Sequence, residues 1–244
     1  MKDWFCTWFN SSYYPVLYRN RDDKEAAMFV DELLKFLNPP RASKIIDIAC
    51  GRGRHSVYLN KKGFDVTGVD LSESSIDYAK KFENKKLSFF LHDMRKTTRV
   101  NYFNYAFNLF TSFGYFEMEK DNIDALQAMA RSLKPNGVLV LDYLNSEKAI
   151  TALNAEETKE IENIQFNISK TIKGNFIVKK IAVNDKGKIS SFEEKVRMIR
   201  LDTFKEYFQA SGLTITHLFG DHQLKNFNAS TSDRLIIVAE KKPI

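Results

Sequence analysis

With 244 residues, 43% of them hydrophobic, the chain is long enough for one domain of ordinary core size plus a small appendage. Two cysteines, Cys6 and Cys50, cannot build a disulfide framework or a metal site, and the four histidines show no ligand spacing such as HExxH, so no metal is expected. The net charge of +6 leaves room for an anionic partner, but acids accompany the lysines nearly everywhere, which favours a solvated basic surface over a nucleic-acid face.

From Met1 to Tyr18 the chain is aromatic but broken by Lys2, Asp3, Asn10 and Pro15, unlike the continuous apolar stretch of a signal peptide. No segment approaches the ~18 apolar residues of a membrane span, so the expected location is the cytoplasm. Between Arg21 and Leu37 the residues Ala26, Phe29, Val30, Leu33, Leu34 and Leu37 recur at helical spacing, and Pro39-Pro40 close that helix. Strands and helices then alternate. Lys44 to Ile48, Asp65 to Asp70, Leu87 to Leu91, Tyr105 to Phe110 and Val138 to Tyr143 read as strands. Helices are expected from Gly53 to Lys62, from Ser72 (as N-cap) to Phe82, and from Asn122 to Leu133, the last stopped by Lys134-Pro135-Asn136-Gly137. This rhythm predicts a Rossmann-like, doubly wound α/β sheet.

Near residue 150 the rhythm changes. Phe176 to Val183 and Ile189 to Met198 read as strands joined at Asn184-Asp185-Lys186-Gly187, so an antiparallel meander of about three strands is expected within residues 151–199. A helix from Asp202 to Ala210 and two last strands, Thr214 to Phe219 and Leu235 to Glu240, complete a seven-stranded sheet. The expected organisation is an N-terminal lid and helix (1–40), the Rossmann-like domain (41–150 and 200–244), and the inserted sheet as substrate cap or dimerisation element. The edges of a projecting sheet need cover, so a homodimer through residues 160–200 is expected.

Four segments carry chemistry. Asp47-Ile48-Ala49-Cys50-Gly51-Arg52-Gly53 ends a strand in a tight turn whose glycines let a ligand lie against backbone. Ser56 stands where a dinucleotide site carries its third glycine, so a ligand without phosphates fits better. Asp70, followed by Leu71, closes the second strand ~20 residues downstream, where a Rossmann-type site places a carboxylate on a ribose. His92-Asp93-Met94-Arg95 follows the third strand, where Asp93 can accept from an exocyclic amine and Met94 can flank a ring. The fourth segment, Asn108 to Phe116, places Phe110, Thr111, Ser112, Gly114 and Tyr115 at the sheet's carboxyl edge.

In this order and spacing the four segments resemble the class I S-adenosylmethionine (SAM)-dependent methyltransferases, and Leu133-Lys134-Pro135-Asn136-Gly137 is similar to their "LkPGG" run. Ala49 replaces that superfamily's first glycine. The resemblance implies SAM as cofactor, S-adenosylhomocysteine (SAH) as product, and binding by Asp47, Ala49, Cys50, Gly51, Gly53, Asp70, Leu71, Asp93, Met94 and Phe110. More narrowly, Tyr14-Pro15-Val16-Leu17-Tyr18-Arg19-Asn20-Arg21 resembles the N-terminal lid of amino-sugar N,N-dimethyltransferases, which share "DMR" and carry an insertion that helps form a dimer. Where that family has a histidine, this chain has Tyr115, so the acceptor stays open while the donor site is unaffected. Tyr18 and Arg21 are then expected to close over the methionine end, with Tyr14 and Tyr115 holding or deprotonating an amine or hydroxyl of a small molecule. Three alternatives remain: an RNA or protein methyltransferase docking through Lys170, Lys173, Lys179, Lys180, Lys186 and Lys188; a non-catalytic SAM-binding protein; and a nicotinamide oxidoreductase, which Ser56 and the terminal strand pair disfavour.

Overall fold

The computed structural model describes residues 4–19, 23–151 and 156–243. Short apolar runs flanked by turns become the central strands β1 (Lys44–Ile48), β2 (Asp65–Asp70), β3 (Leu87–Leu91), β4 (Phe103–Asn108) and β5 (Leu133–Leu144). β1, β2 and β4 are largely buried on both faces, as parallel strands between helices must be, whereas β3 at the sheet's edge exposes Phe90 and Leu91. With β10 (Leu213–Phe219) and β11 (Arg234–Lys241) they form one sheet in the order β10-β11-β5-β4-β1-β2-β3, in which β11 alone runs against its neighbours.

Helices cover both faces. On one, α3 (Asp23–Leu37), α4 (Arg54–Lys61) and α5 (Glu73–Ala79) bury Phe29, Leu33, Leu59 and Ile76 against β1 to β3. On the other, α6 (Glu119–Ser132) and α8 (Leu201–Ala210) bury Leu126, Met129, Phe204 and Phe208. Ser72 caps α5 as its sequence suggests, its hydroxyl accepting from the Ser75 N–H at 3.3 Å. Helix α6 ends at Ser132, one residue before the expected end at Leu133, and Lys134–Gly137 form a bulge inside β5 rather than a loop before it. Phe103 pairs with Leu133 and Tyr105 with Val138, while Asn136 takes φ +61° to loop the extra residues out.

The insertion holds four strands rather than three, in the order β6-β7-β8-β9: Glu157–Ile161, Ile164–Lys173, Phe176–Asp185 and Lys188–Arg197. It follows a short helix α7 (Ser146–Thr151) that the sequence does not announce. The Lys186-Gly187 turn has φ of +53° and +89°, the pair a two-residue hairpin requires. One face of this sheet buries Phe166, Ile168, Ile181 and Val183 against Trp8 and Leu17 of the N-terminal arm, which consists of α1 (Trp4–Trp8) and α2 (Tyr14–Leu17). Among the described residues no helix is long and apolar enough to cross a membrane.

Candidate active site

After β3 the chain returns to place β4 beside β1, so the connections leaving these two strands diverge and open a crevice at their carboxyl ends. The turn after β1 lines one wall. Ala49, Gly51 and Gly53 there have φ of +58°, +56° and +83°. Gly53 is required by packing, since a Cβ would sit 2.6 Å from Phe89 Cζ; Gly51 faces open space, with nothing within 4 Å of such an atom. The Gly51 N–H donates to Asp70 Oδ2 at 2.8 Å and the Ser72 N–H to Asp70 Oδ1 at 2.8 Å, so the turn and the β2 carboxylate are locked together. Burial pushes the Asp70 carboxyl above its ordinary range against those N–H donors.

Asp47 is buried behind the turn and accepts from Ser56 Oγ at 2.5 Å. Ser56, read from sequence only as a missing glycine, thus holds the acid of the motif. Burial, reinforced by the nearby Asp70 charge, pushes the Asp47 carboxyl up to about 7. After β3, Arg95 clamps Asp93 with Nε at 3.1 Å from Oδ1 and Nη2 at 2.6 Å from Oδ2. Burial would raise Asp93, but Arg95 outweighs it and holds the carboxyl below its ordinary value. With the Arg95 backbone N–H also on Oδ1 at 2.9 Å and Nε shared with Oδ2 at 3.1 Å, each oxygen already takes two contacts, so a further donor has to displace or share one of them.

The third wall follows β4. Phe110 and Thr111 both have φ of +58°. Tyr115 donates its hydroxyl to the Thr111 carbonyl, and its ring meets Trp4 edge-on at 5.2 Å and Phe9 at 5.6 Å. The arm closes the fourth side, with Tyr14 packed against Phe9 and Tyr18 at 5.0 Å each. The Tyr18 hydroxyl donates to Glu194 Oε1 at 2.5 Å and accepts from Lys179 Nζ at 2.5 Å, while Trp8 Nε1–H reaches the same Glu194 oxygen at 2.7 Å. Both halves of the arm therefore hang on one carboxylate of the inserted sheet.

These walls line a half-open cavity of about 780 Å³, within the range of small-molecule sites. The residues expected to bind the donor or serve catalysis line it, from Leu71, Asp70, Asp93 and Met94 to Tyr14, Tyr18 and Tyr115, except Arg21, which lies outside the described residues; Ser56, Thr111 and Gly114 stand behind the lining. The residues fit an adenosyl sulfonium: open space over Gly51, a half-buried carboxylate at Asp70, and aromatic rings along the remaining walls, which suit a cation.

A methyltransferase-domain family model matches residues 18–218. The chain belongs to the methyltransferase-domain family. It is 36% identical over 112 residues to the putative methyltransferase YqeM of Bacillus subtilis, an alignment that spans 45% of each chain. It is 27% identical over 223 residues to the dTDP-3-amino-3,4,6-trideoxy-alpha-D-glucopyranose N,N-dimethyltransferase of Streptomyces venezuelae, covering 86% of this chain and 92% of that one. Its fold resembles the crystal structure of an S-adenosylmethionine-dependent methyltransferase from Clostridium acetobutylicum, with a TM-score of 0.80 at 19% identity, covering 95% and 96% of the two chains. The protein is thus a SAM-dependent methyltransferase, and the nicotinamide reading falls away.

Several residues of this methyltransferase's cavity escape sequence reasoning. His55 is buried and stacks on Phe110 at 5.0 Å; burial pushes it down to about 3, so the ring is neutral, and its Nε2 has no hydrogen-bond partner among the described residues. Its helical position beside the glycine turn was the available signal. Phe5 and Phe9 also line the cavity, and only the aromatic density of the first residues pointed to them. Among the described residues no cluster of three or more His, Cys, Asp or Glu is disposed to hold a metal ion.

Proposed function

We propose that this methyltransferase acts on an amine or hydroxyl of a small molecule. The observation that carries the reading is the shape of the acceptor end. Tyr14, Phe9 and Tyr115 line it beside the inserted sheet, so the acceptor end is a half-open aromatic cleft rather than a flat face. The amino-sugar acceptor of the Streptomyces relative supports an amine.

SAM, when bound, supplies a methyl group already activated on a sulfonium, so this chain's residues have chiefly to position and to desolvate, effects that reach roughly 7–11 kcal/mol in well-aligned reactants. Asp70 would take the ribose hydroxyls, Asp93 and Met94 the adenine, with Leu71 beside it. Tyr18 and Arg21 would face the methionine end. Ala49, Cys50, Gly51 and Gly53 form the floor and Phe110 the wall. Tyr115 donates its own proton to the Thr111 carbonyl, so its oxygen offers lone pairs to an acceptor N–H or O–H. Tyr14 stands across from it in the arm and serves the same proton.

A docking role for the insertion's lysines is less well supported. The strand register puts Lys170, Lys179 and Lys188 on the arm side and Lys173 and Lys180 on the other, and Lys179 turns inward to Tyr18 and Glu194. The domain assignment made above (1–40 lid, 151–199 cap) follows the same reading. The test is a panel of amines and hydroxyl compounds screened for conversion of SAM to SAH, with Tyr115→Phe as control; a panel turned over equally well by that variant removes Tyr115 from the mechanism. We propose a homodimer as well, through the outer edges of β6 and β9, which pair with no further strand among the described residues. Sedimentation as a monomer at micromolar concentration would sink that part.

A further inference from the structure

Phe110 and Thr111 are consecutive non-glycine residues in the left-handed region, a conformation that L side chains disfavour. Something outside the turn has to hold them there, and the structure shows what does. Asp142 of β5 is fully buried, and its Oδ2 accepts from the Phe110 N–H at 2.7 Å. Its Oδ1 accepts from Arg234 Nε at 2.8 Å and Nη2 at 2.7 Å. The same Nη2 donates to Thr111 Oγ1 at 2.9 Å, and the Thr111 N–H returns to the Asp142 carbonyl at 3.0 Å. The two strained residues are thus pinned by a carboxylate on one strand and a guanidinium on the reversed strand β11.

The ring they present is fixed too. Phe110 lies between His55, 5.0 Å away, and His222, 4.8 Å away; His222 itself stacks on Phe29 at 4.3 Å and sits 3.4 Å from Asp142 Oδ2. Phe110 faces the cavity, whereas Asp142, Arg234 and His222 stand behind it.

We propose that Asp142 and Arg234 are positioning residues, which hold the Phe110–Thr111 turn in its left-handed form so that the aromatic wall of the SAM site exists before the ligand arrives. This rests on the reading of the cavity as the SAM site. Breaking the clamp lets the turn relax, and ligand binding must then restore it.

The experiment is calorimetric titration of SAH into the wild type, Asp142→Asn and Arg234→Lys, each also combined with Thr111→Gly. Arg234→Lys keeps the charge but loses the fork that reaches both partners, so it tests the clamp even where Asp142→Asn fails to fold. The single variants are expected to bind SAH about tenfold more weakly, a difference of ~1.4 kcal/mol. Glycine adopts the left-handed conformation freely, so Thr111→Gly is expected to restore most of that loss, which a merely structural defect behind the wall would not allow. Unchanged affinity in folded Arg234→Lys, or a loss that Thr111→Gly leaves in place, overturns the proposal. Failure of the wild type to bind SAH would instead strike the site assignment itself.

Discussion

Gly51 and Gly53 offer a comparison in which one substitution, glycine to alanine, meets two different surroundings. Both have positive φ, so a Cβ costs roughly 1–2 kcal/mol at either position, partly offset by the ~0.4–1 kcal/mol gained from a less flexible unfolded chain. At Gly51 the added atom touches no protein within 4 Å. The net loss is then about 1 kcal/mol, or ~2–4 °C in melting temperature for a chain of this size. At Gly53 the atom would lie 2.6 Å and 2.7 Å from Phe89 and 3.3 Å from the Ala79 Cβ. Overpacking adds roughly 1–3 kcal/mol, so Gly53→Ala is expected to melt ~4–16 °C low. Ligand response should run the other way. SAH at a hundredfold excess over Kd stabilises by about 2.7 kcal/mol, a rise of ~5–11 °C. Scanning calorimetry with and without SAH should show this rise in Gly53→Ala and its loss in Gly51→Ala, whose Cβ enters the cavity. A Gly51→Ala protein with the full SAH response would refute the argument that the donor lies over this turn.

Asp47 has its pKa raised from 3.8 to about 7, so the folded state holds a proton that the unfolded state releases. This stability is fully present below pH 3.8 and is lost as pH rises through about 7; melting temperatures of Asp47→Asn should therefore depend less on pH across that window than those of the wild type. Glu194→Ala takes the acceptor from Trp8 Nε1–H and the Tyr18 hydroxyl together. Leaving the buried indole N–H of Trp8 without its acceptor costs ~1–3 kcal/mol, and the arm should become an early site of limited proteolysis; an equally protected arm would show that the sheet does not anchor it. Tyr115→Phe keeps the ring contacts with Trp4 and Phe9, so SAH affinity should hold while kcat falls ~10²–10⁴-fold if the oxygen takes the proton; an unaltered kcat would show that it does not.

The donor half of the site was legible because its parts are local. A glycine turn, an acid at the next strand's end and a loop after the third are each set by chain spacing, and a parallel sheet forces them to one edge. The insertion was half legible. Phe176 to Val183 announces itself by composition, but Glu157–Ile161 is a polar, exposed strand that takes its shape from its partner. Helices α1 and α2 have only 5 and 4 residues, too short to form on their own, and exist because Trp8 and Leu17 dock on the inserted sheet. Nothing along the chain links Tyr18 to Glu194 or Phe110 to Asp142 and Arg234, because these contacts appear only once distant strands are in register. His222 looked like an isolated histidine for the same reason.

The inserted sheet is rooted at the acceptor wall. The Arg197 N–H at the end of β9 donates to the Gly114 carbonyl at 2.8 Å, next to Tyr115, and the Tyr143 hydroxyl donates to the Arg197 carbonyl while its oxygen leaves no room for a Cβ at Gly114. Among the described residues, the loop after β2 meets the sheet only through the arm, where the Ser72 hydroxyl lies 3.3 Å from the Phe9 carbonyl and 2.9 Å from Asn10 Oδ1. On the function proposed above, substitutions in the inserted sheet are expected to tilt the loop bearing Tyr115 and change which acceptors are methylated, with SAH affinity held; a panel of acceptors assayed across such variants checks this.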